Sequence, residues 1–171
     1  MLEEIRSYLK IRDMDIADIG RVYALDRDSF NKAWTAEQMR HEMDLYGVKA
    51  RVLEWKGTLV AYYFSSFVAG EASLNRIAVD SRFRGVGIGR LIMDDFLRAC
   101  HMMEAEEAFL EVNVKNSFAI KLYEGSGFER VGKRSSYYED GSDALVMKLD
   151  FKAKDRFLYS TEGDKCVYTS Y

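Results

Sequence analysis

A short glycine-rich segment has the composition of a phosphate-binding loop. It consists of Arg84, Gly85, Val86, Gly87, Ile88, Gly89 and Arg90. Glycines at alternate positions let a ligand approach the backbone, and a helical pattern begins where the segment ends, so unpaired N–H groups and the helix macrodipole favour an anion. The spacing fits neither a Walker loop nor a dinucleotide fingerprint. We predict a phosphate or pyrophosphate site, with a flexible strand-to-helix turn as the alternative.

A carboxylate inside an apolar strand is the second candidate for chemistry. Residues 109–114 alternate with period two, which places Glu111 on the face opposite Leu110 and Val112. Burial without a partner cation raises the pKa of a carboxylate, which suits a general base near neutral pH. The alternative is a glutamate satisfied by arginine or backbone donors on a half-exposed strand.

Aromatic residues add further candidates. Tyr123 lies in a short helical pattern and, with an ordinary pKa near 10, stays protonated at neutral pH and can donate a proton. The alternative is a helix-face aromatic packed against Ala119 and Leu122. Phe30 and Trp34 lie in a polar connection between two predicted helices. They either staple these helices together or line a substrate groove.

The periodicity predicts a mixed α/β order that positions these residues. Seven strands are expected, at residues 8–12, 48–55, 58–67, 72–79, 108–114, 128–133 and 144–151. Four helices are expected, at about residues 13–26, 35–46, 88–103 and 117–124. On the third helix the period places Met103 on the apolar face and Asp95 away from it.

The composition describes a soluble globular protein of one domain. The chain has 171 residues, of which 48% are hydrophobic and 31% charged, enough to form one core. The net charge of -3 argues against a nucleic-acid surface. No apolar run approaches the roughly 18 residues of a membrane span, and the first ten residues resemble no targeting signal. We expect a cytoplasmic protein that binds neither nucleic acid nor membrane.

Metal and thiol chemistry are not expected. The cysteines, Cys100 and Cys166, and the histidines, His41 and His101, stand at spacings that match no ligand set. Cys100 lies within a helical apolar pattern, so we interpret it as core packing. Neither cysteine lies near the other motifs, which argues against a covalent intermediate.

Taken in this order, the motifs resemble the GCN5-related N-acetyltransferase (GNAT) superfamily. The glycine-rich segment is similar to its acetyl-CoA loop. Leu-Glu-Val-x-x-x-Asn at residues 110–116 and Ala-Ile-x-Leu-Tyr-Glu-x-x-Gly-Phe at residues 119–128 are similar to protein N-terminal acetyltransferases, above all bacterial ribosomal-protein alanine N-acetyltransferases and archaeal N-terminal acetyltransferases. The resemblance implies a GNAT fold: a mixed, mostly antiparallel seven-stranded sheet with splayed fourth and fifth strands and about four helices.

The resemblance also implies roles for individual residues. Glu111 would accept a proton from the amine, and Tyr123 would donate one to the departing thiolate. The implied contacts with acetyl-CoA are Ile77, Ala78, Val79, the seven residues of the glycine-rich segment, Asn116 and Tyr123. Tyr137 and Tyr138 match tyrosines that line the peptide site. For these two, the alternative is an ordinary hairpin tip.

Two departures from the family pattern bear on the acceptor. Ser73 stands where some relatives carry a partner base, so Glu111 would act alone, through water. Ala33 precedes Trp34 where the ribosomal-protein enzymes tend to have proline. We predict acetyl transfer from acetyl-CoA directly to a protein or peptide N-terminus, with a ribosomal protein as one candidate. The alternatives are acetylation of a small amine or a lysine, and a non-catalytic acetyl-CoA-binding or scaffold module.

The end of the chain extends beyond the resemblance. We expect a GNAT domain at residues 1–151 and an extension at residues 152–171. Two β-prone runs around Gly163 predict a hairpin in this extension. It would pack on a sheet edge or on a partner subunit, in a protein that is a monomer or a homodimer.

Overall fold

The computed structural model describes residues 8–152. Within them, seven strands form one sheet and four α-helices cover it. The strands are β1 (Leu9–Asp13), β2 (Val48–Trp55), β3 (Thr58–Val68), β4 (Glu71–Val79), β5 (Glu107–Asn113), β6 (Glu129–Arg134) and β7 (Ala144–Asp150). The helices are α1 (Ile19–Ser29), α2 (Ala36–Asp44), α3 (Ile88–Met102) and α4 (Ser117–Gly125). The predicted set of strands and helices is confirmed.

Local signals in the sequence fix several of these ends. Thr35 and Gln38 form a capping box at the start of α2, in which the Thr35 hydroxyl accepts from the Gln38 N–H and the Gln38 side chain accepts from the Thr35 N–H. Lys56 and Gly57 have φ values of 48° and 80°. Both are the positive angles that a tight two-residue hairpin requires, here between β2 and β3. The first helix begins later than predicted, because a short 3-10 turn at Ile16–Asp18 precedes α1.

The strands lie in the order β1-β2-β3-β4-β5-β7-β6. Neighbouring strands are antiparallel except β4 and β5, which run parallel. These two pair only between residues 71–74 and residues 107–110. Beyond Leu74 and Leu110 the register ends, which leaves a wedge between the second halves of the two strands. The predicted splay of the fourth and fifth strands is therefore confirmed.

Two apolar cores lie on opposite faces of the sheet. The larger one is formed with α3 and α4 and includes Tyr63, Ile92, Phe96, Cys100, Leu110 and Met147. The smaller one is formed with α1 and α2 and includes Ile19, Val22, Met39, Tyr62 and Phe64. Burial of both faces fixes the register of the central strands, because a shift by one residue would exchange the two sets of side chains.

The predicted faces of α3 need two corrections. Asp95 is buried against the sheet rather than turned away from it. The Tyr63 hydroxyl and the Arg51 Nε each donate to Asp95 at 3.1 Å, so the buried carboxylate is paired. Helical periodicity cannot reveal partners that lie on strands. Met103, predicted on the apolar face, lies just past the helix and is exposed.

None of the helices in residues 8–152 is long and apolar enough to cross a membrane. The hairpin predicted for the C-terminal extension lies outside the described residues.

Candidate active site

The wedge between β4 and β5 exposes backbone hydrogen-bonding groups of β4. The N–H of Asp80 donates to the carbonyl of Val60 on β3 at 2.9 Å. Because successive residues of a strand direct their polar groups to opposite edges, those of Ala78 face β3 and those of Ile77 and Val79 face the wedge. An extended ligand can therefore pair with the backbone of Ile77 and with the N–H of Val79, whereas the backbone groups of Ala78 are turned away.

The glycine-rich segment connects a 3-10 turn at Ser81–Phe83 to α3. Gly85 and Gly87 have φ values of 76° and 86°, a left-handed conformation that favours glycine. Gly87 is the N-cap residue of α3 and no side chain caps this helix, so the N–H groups of its first turn have no intrahelical partner. Val86 and Ile88 pack toward the larger core. The segment thus has the geometry of an anion site at a helix N-terminus.

Both arginines of the segment brace its ends. The Arg84 Nε donates to the carbonyl of Val79 at 3.0 Å. The Arg90 Nε donates to Asp94 at 2.9 Å, and its Nη1 donates to the carbonyl of Gly125 at the end of α4, also at 2.9 Å. Both side chains remain exposed. They therefore fix the segment to its surroundings and can still face a phosphate.

Glu111 lies on β5 beside the wedge, but it is not an unpaired buried carboxylate. The Arg134 Nε lies 2.8 Å from Glu111 Oε1, and the glutamate side chain is 27% exposed. The hydroxyl of Tyr137 donates a hydrogen bond to Glu111; this bond, then burial, raises the pKa of Tyr137. The expectation of a carboxylate without a cation is therefore wrong, and the alternative of a glutamate satisfied by arginine is right. Sequence reasoning missed Arg134 because β6 reaches Glu111 only across β7.

Tyr123 lies on α4 and is buried. Its ring packs edge-on against Phe128, with centroids 6.3 Å apart. Burial, and then the nearby Tyr138, raises the pKa of Tyr123, so the hydroxyl stays protonated at neutral pH. Asn116 caps α4 by accepting from the N–H of Ala119 at 3.1 Å, which leaves the amide N–H groups of its side chain as donors for a ligand.

Tyr137 and Tyr138 lie in the connection between β6 and β7. Their rings meet edge-on with centroids 5.2 Å apart. Burial raises the pKa of Tyr138, and the charges of Tyr137 and Glu111 raise it further. Tyr138 thus interacts electrostatically with Glu111 and also with Tyr123. The structure therefore places the two predicted peptide tyrosines in contact with each other and both of them within electrostatic range of Glu111.

Phe30 and Trp34 follow α1 and pack mainly against the sheet. The Trp34 ring lies 5.3 Å from that of Phe64 on β3. The guanidinium of Arg76 on β4 lies 3.6 Å from the Phe30 ring centroid and 5.3 Å from the Trp34 ring centroid. The two aromatic residues thus fasten their connection to β3 and β4. Nothing in the sequence pattern singles out Arg76, because its partners lie on other elements.

The cysteine among the described residues lies apart from this site. Burial raises the pKa of Cys100 to about 12, and this cysteine lies in the larger core. Within residues 8–152, no cluster of three or more His, Cys, Asp or Glu side chains could hold a metal ion.

A family model covers nearly all of the described residues. It is the model of the acetyltransferase (GNAT) domain, and it matches residues 13–151. The chain belongs to the GNAT acetyltransferase family. The predicted fold and enzyme class are thereby confirmed.

Three relatives match this GNAT chain over most of their own lengths. A Bacillus subtilis protein, named provisionally as a ribosomal protein bS18-alanine N-acetyltransferase, is 34% identical over 140 residues, which cover 80% of this chain and 92% of the relative. The N-alpha-acetyltransferase of Sulfurisphaera tokodaii is 28% identical over 151 residues, 81% of this chain and 90% of the relative. The crystal structure of Ard1 from Thermoplasma volcanium is 29% identical with a TM-score of 0.78, and the match covers 84% of this chain and 97% of that one.

Proposed function

We propose that this GNAT chain transfers an acetyl group from acetyl-CoA to the α-amine of a protein or peptide. The observation that carries the proposal is the open wedge between β4 and β5, with the uncapped start of α3 following β4 and Glu111 on β5 beside the wedge. Acyl transfer from a thioester to an amine needs one group that accepts a proton and one that donates a proton. A carboxylate and a protonated phenol supply these two groups.

The chain offers two complementary surfaces for acetyl-CoA. The uncapped start of α3 fits a diphosphate, and the open edge of β4 fits an extended arm with amide groups. Bound there, acetyl-CoA supplies the acetyl group as a thioester. The residues proposed to hold it are Ile77, Val79, Arg84, Gly85, Val86, Gly87, Ile88, Gly89, Arg90, Asn116 and Tyr123, together with Ala78, which acts indirectly by pairing with Tyr62 on β3 and so holding its two neighbours in place.

Two side chains transfer protons in this proposal, and two others position one of them. Glu111 takes the proton of the attacking amine, through water, and Tyr123 gives a proton to the departing sulfur. Arg134 and Tyr137 fix the orientation of Glu111 through their contacts with its carboxylate. The amine attacks the thioester directly; Cys100, the cysteine among residues 8–152, is buried in the core, where it is unsuited to act as a nucleophile.

A single base selects for an α-amine over a lysine. The ordinary pKa of an α-amine lies roughly 2.5 units below that of a lysine, so its neutral form is easier to obtain by about 3.4 kcal/mol. Phe30, Trp34, Tyr137 and Tyr138 are proposed to line the groove that receives the peptide.

The relatives support the same class of acceptor. The Bacillus subtilis relative is named for alanine of ribosomal protein bS18, and the archaeal relative is named an N-alpha-acetyltransferase. We therefore propose a protein N-terminus as the acceptor of this chain, with a ribosomal protein as the first candidate. The cytoplasmic location, the domain limits and the choice between monomer and homodimer stay predictions.

This proposal is tested by incubating the protein with acetyl-CoA and a peptide that begins with alanine. Turnover is measured through the release of the CoA thiol. Glu111→Gln and Tyr123→Phe should each lower kcat by about 100-fold or more and leave acetyl-CoA affinity nearly intact. Glu107→Gln is the matched control, because Glu107 lies on the same face of β5 and is paired with Lys148 at 2.6 Å. It should retain wild-type kcat.

Each alternative function predicts a different result in the same assay. A small-amine enzyme would acetylate polyamines or aminoglycosides and no peptide, and a binding module would bind acetyl-CoA without turnover. Wild-type kcat in both Glu111→Gln and Tyr123→Phe would refute the roles proposed for these residues.

A further inference from the structure

One arginine joins the strand at the wedge to the connection that carries Phe30 and Trp34. Arg76 precedes Ile77 on β4, and its side chain crosses to the end of α1. Its Nε donates to Asp26 Oδ1 at 2.8 Å and its Nη2 donates to Asp26 Oδ2 at 2.9 Å. The Nη2 also donates to the carbonyl of Lys32 at 2.8 Å. A single guanidinium therefore holds both α1 and the connection that follows it.

The carboxylate at the centre of this arrangement is completely buried. Asp26 has no exposed surface, and it also accepts from the hydroxyl of Tyr62 on β3 and from the backbone N–H of Trp34, the latter at 2.7 Å. Donors from β3, from β4 and from the connection thus converge on Asp26. A buried polar network that is fully satisfied in this way holds its members rigidly.

Aromatic rings also contact the flat faces of the Arg76 guanidinium, whose edges donate the hydrogen bonds described above. Phe30 lies over Arg76 at 3.6 Å and Trp34 at 5.3 Å, distances at which a cation is attracted to an aromatic ring. The positive charge of Arg76 also lowers the pKa of Tyr138, against the larger effect of burial. Lys32, whose carbonyl Arg76 holds, lies with its Nζ 3.0 Å from Glu139 Oε1, in the connection that carries Tyr137 and Tyr138. Arg76 therefore contacts one aromatic wall of the proposed groove directly and is joined to the other through Lys32.

We propose that Arg76 is a positioning residue that sets the spacing between the acetyl-CoA strand and the aromatic walls, and thereby determines which peptide N-termini are accepted. The inference rests on the proposed function, since it requires a peptide to lie between Phe30 and Tyr138. A lysine could not replace Arg76, because an ammonium has neither the planar fork that holds Asp26 nor the flat face that stacks on Phe30.

Arg76→Lys tests this inference, with Arg12→Lys as the matched control. Arg12 also holds a buried aspartate through two nitrogens, since it donates to Asp18 at 2.6 and 2.8 Å, but it does so at the opposite end of α1. Acetyl-CoA affinity and kcat/KM are measured with two peptides that differ only in a first residue of alanine or methionine.

Arg76→Lys should lower kcat/KM for peptides by about 10- to 100-fold, mainly through KM, because the groove is displaced. It should also change the ratio of kcat/KM between the two peptides by about threefold or more, while the affinity for acetyl-CoA stays at the wild-type value. Arg12→Lys should leave the ratio unchanged. A purely structural defect reduces the amount of active enzyme and lowers both kcat/KM values equally, so it cannot alter their ratio.

An unchanged ratio in Arg76→Lys, with an active wild-type enzyme, overturns this inference alone. Absence of peptide turnover in the wild type overturns the proposed function and the inference with it. If Arg76→Lys does not fold, the double variant Asp26→Asn/Arg76→Met replaces it, because it leaves no uncompensated buried charge and keeps an acceptor for Tyr62. The same change in the ratio is expected, and its absence there overturns the inference.

Discussion

Glu111 is held by a cation and a phenol rather than left alone in its strand. Arg134 contacts one carboxylate oxygen from β6, and Tyr137 donates its hydroxyl from the next connection. A base must keep its orientation while it gains and loses a proton. Contacts from two separate elements provide this, since a catalytic side chain must be fixed closely to be effective.

The Tyr137 hydroxyl should therefore contribute measurably to turnover. Tyr137→Phe removes the hydrogen bond to Glu111 and keeps the ring against Tyr138. We expect kcat to fall by about tenfold, as for the loss of a hydrogen bond worth about 1.5 kcal/mol to a charged group. Steady-state kinetics of Tyr137→Phe is compared with that of Tyr46→Phe, a control at a fully exposed tyrosine. Equal kcat values in the two variants would contradict this prediction.

Residue roles could be predicted only where the sequence carries a local motif. Glu111 and Tyr123 stand in motifs that resemble those of a family, so the sequence alone identified both as candidates. Arg134 and Arg76 stand in no motif. Their importance comes from contacts with residues on other elements, Glu111 for the first and Asp26 for the second.

At the scale of elements, the backbone of the glycine-rich segment is the main determinant of the proposed phosphate site. Gly85 has a φ of 76°, and no heavy atom lies within 4 Å of the position of an added Cβ. Gly57, in the distant β2–β3 hairpin, has a φ of 80° and the same free space. Alanine at either position therefore meets similar backbone strain of about 1–2 kcal/mol.

This pair separates binding from stability. Gly85→Ala should weaken acetyl-CoA binding by about tenfold or more, or roughly 1.4 kcal/mol, because a side chain at this positive φ strains the backbone amides that form the proposed diphosphate site. Gly57→Ala should lose similar stability and keep wild-type affinity. Calorimetric titration and thermal melting measure the two effects. Equal affinity in both variants would contradict a phosphate site at this segment.

Elements with local signals could be predicted, whereas their arrangement in the sheet could not. The capping box at Thr35 and the turn at Lys56 each depend on the types of no more than four consecutive residues. The end of pairing after Leu74 depends instead on how two strands diverge, a geometry that alternation does not encode. The resemblance to the GNAT superfamily supplied that feature.

At the scale of the whole molecule, charged residues near the start of α1 couple stability to pH. Hydrogen bonds from Arg12 hold the pKa of Asp18 well below its ordinary range and also lower that of Glu54. An unfolded aspartate takes up a proton near pH 4, whereas folded Asp18 does so only at lower pH. Its contribution to stability is therefore complete above about pH 5 and decreases as the pH falls further.

Asp18→Asn should reduce this pH dependence. Between pH 7 and pH 3 the wild type should lose free energy of unfolding on the order of 1 kcal/mol more than the variant, because pH 3 lies only about one unit below the pKa of an unfolded aspartate. Urea unfolding at both pH values measures the difference, and Asp28→Asn, at an exposed aspartate, should behave like the wild type. Equal losses in wild type and Asp18→Asn would show that this carboxylate does not couple stability to pH.

The central claim, transfer to an α-amine, is tested most directly by the position of the acetyl group in the product. A peptide that begins with alanine and contains one internal lysine is incubated with acetyl-CoA and the wild-type chain, then sequenced by tandem mass spectrometry. We predict acetylation of the α-amine alone, and no reaction when that amine is blocked. Acetylation of the lysine, or continued reaction of the blocked peptide, would contradict the account.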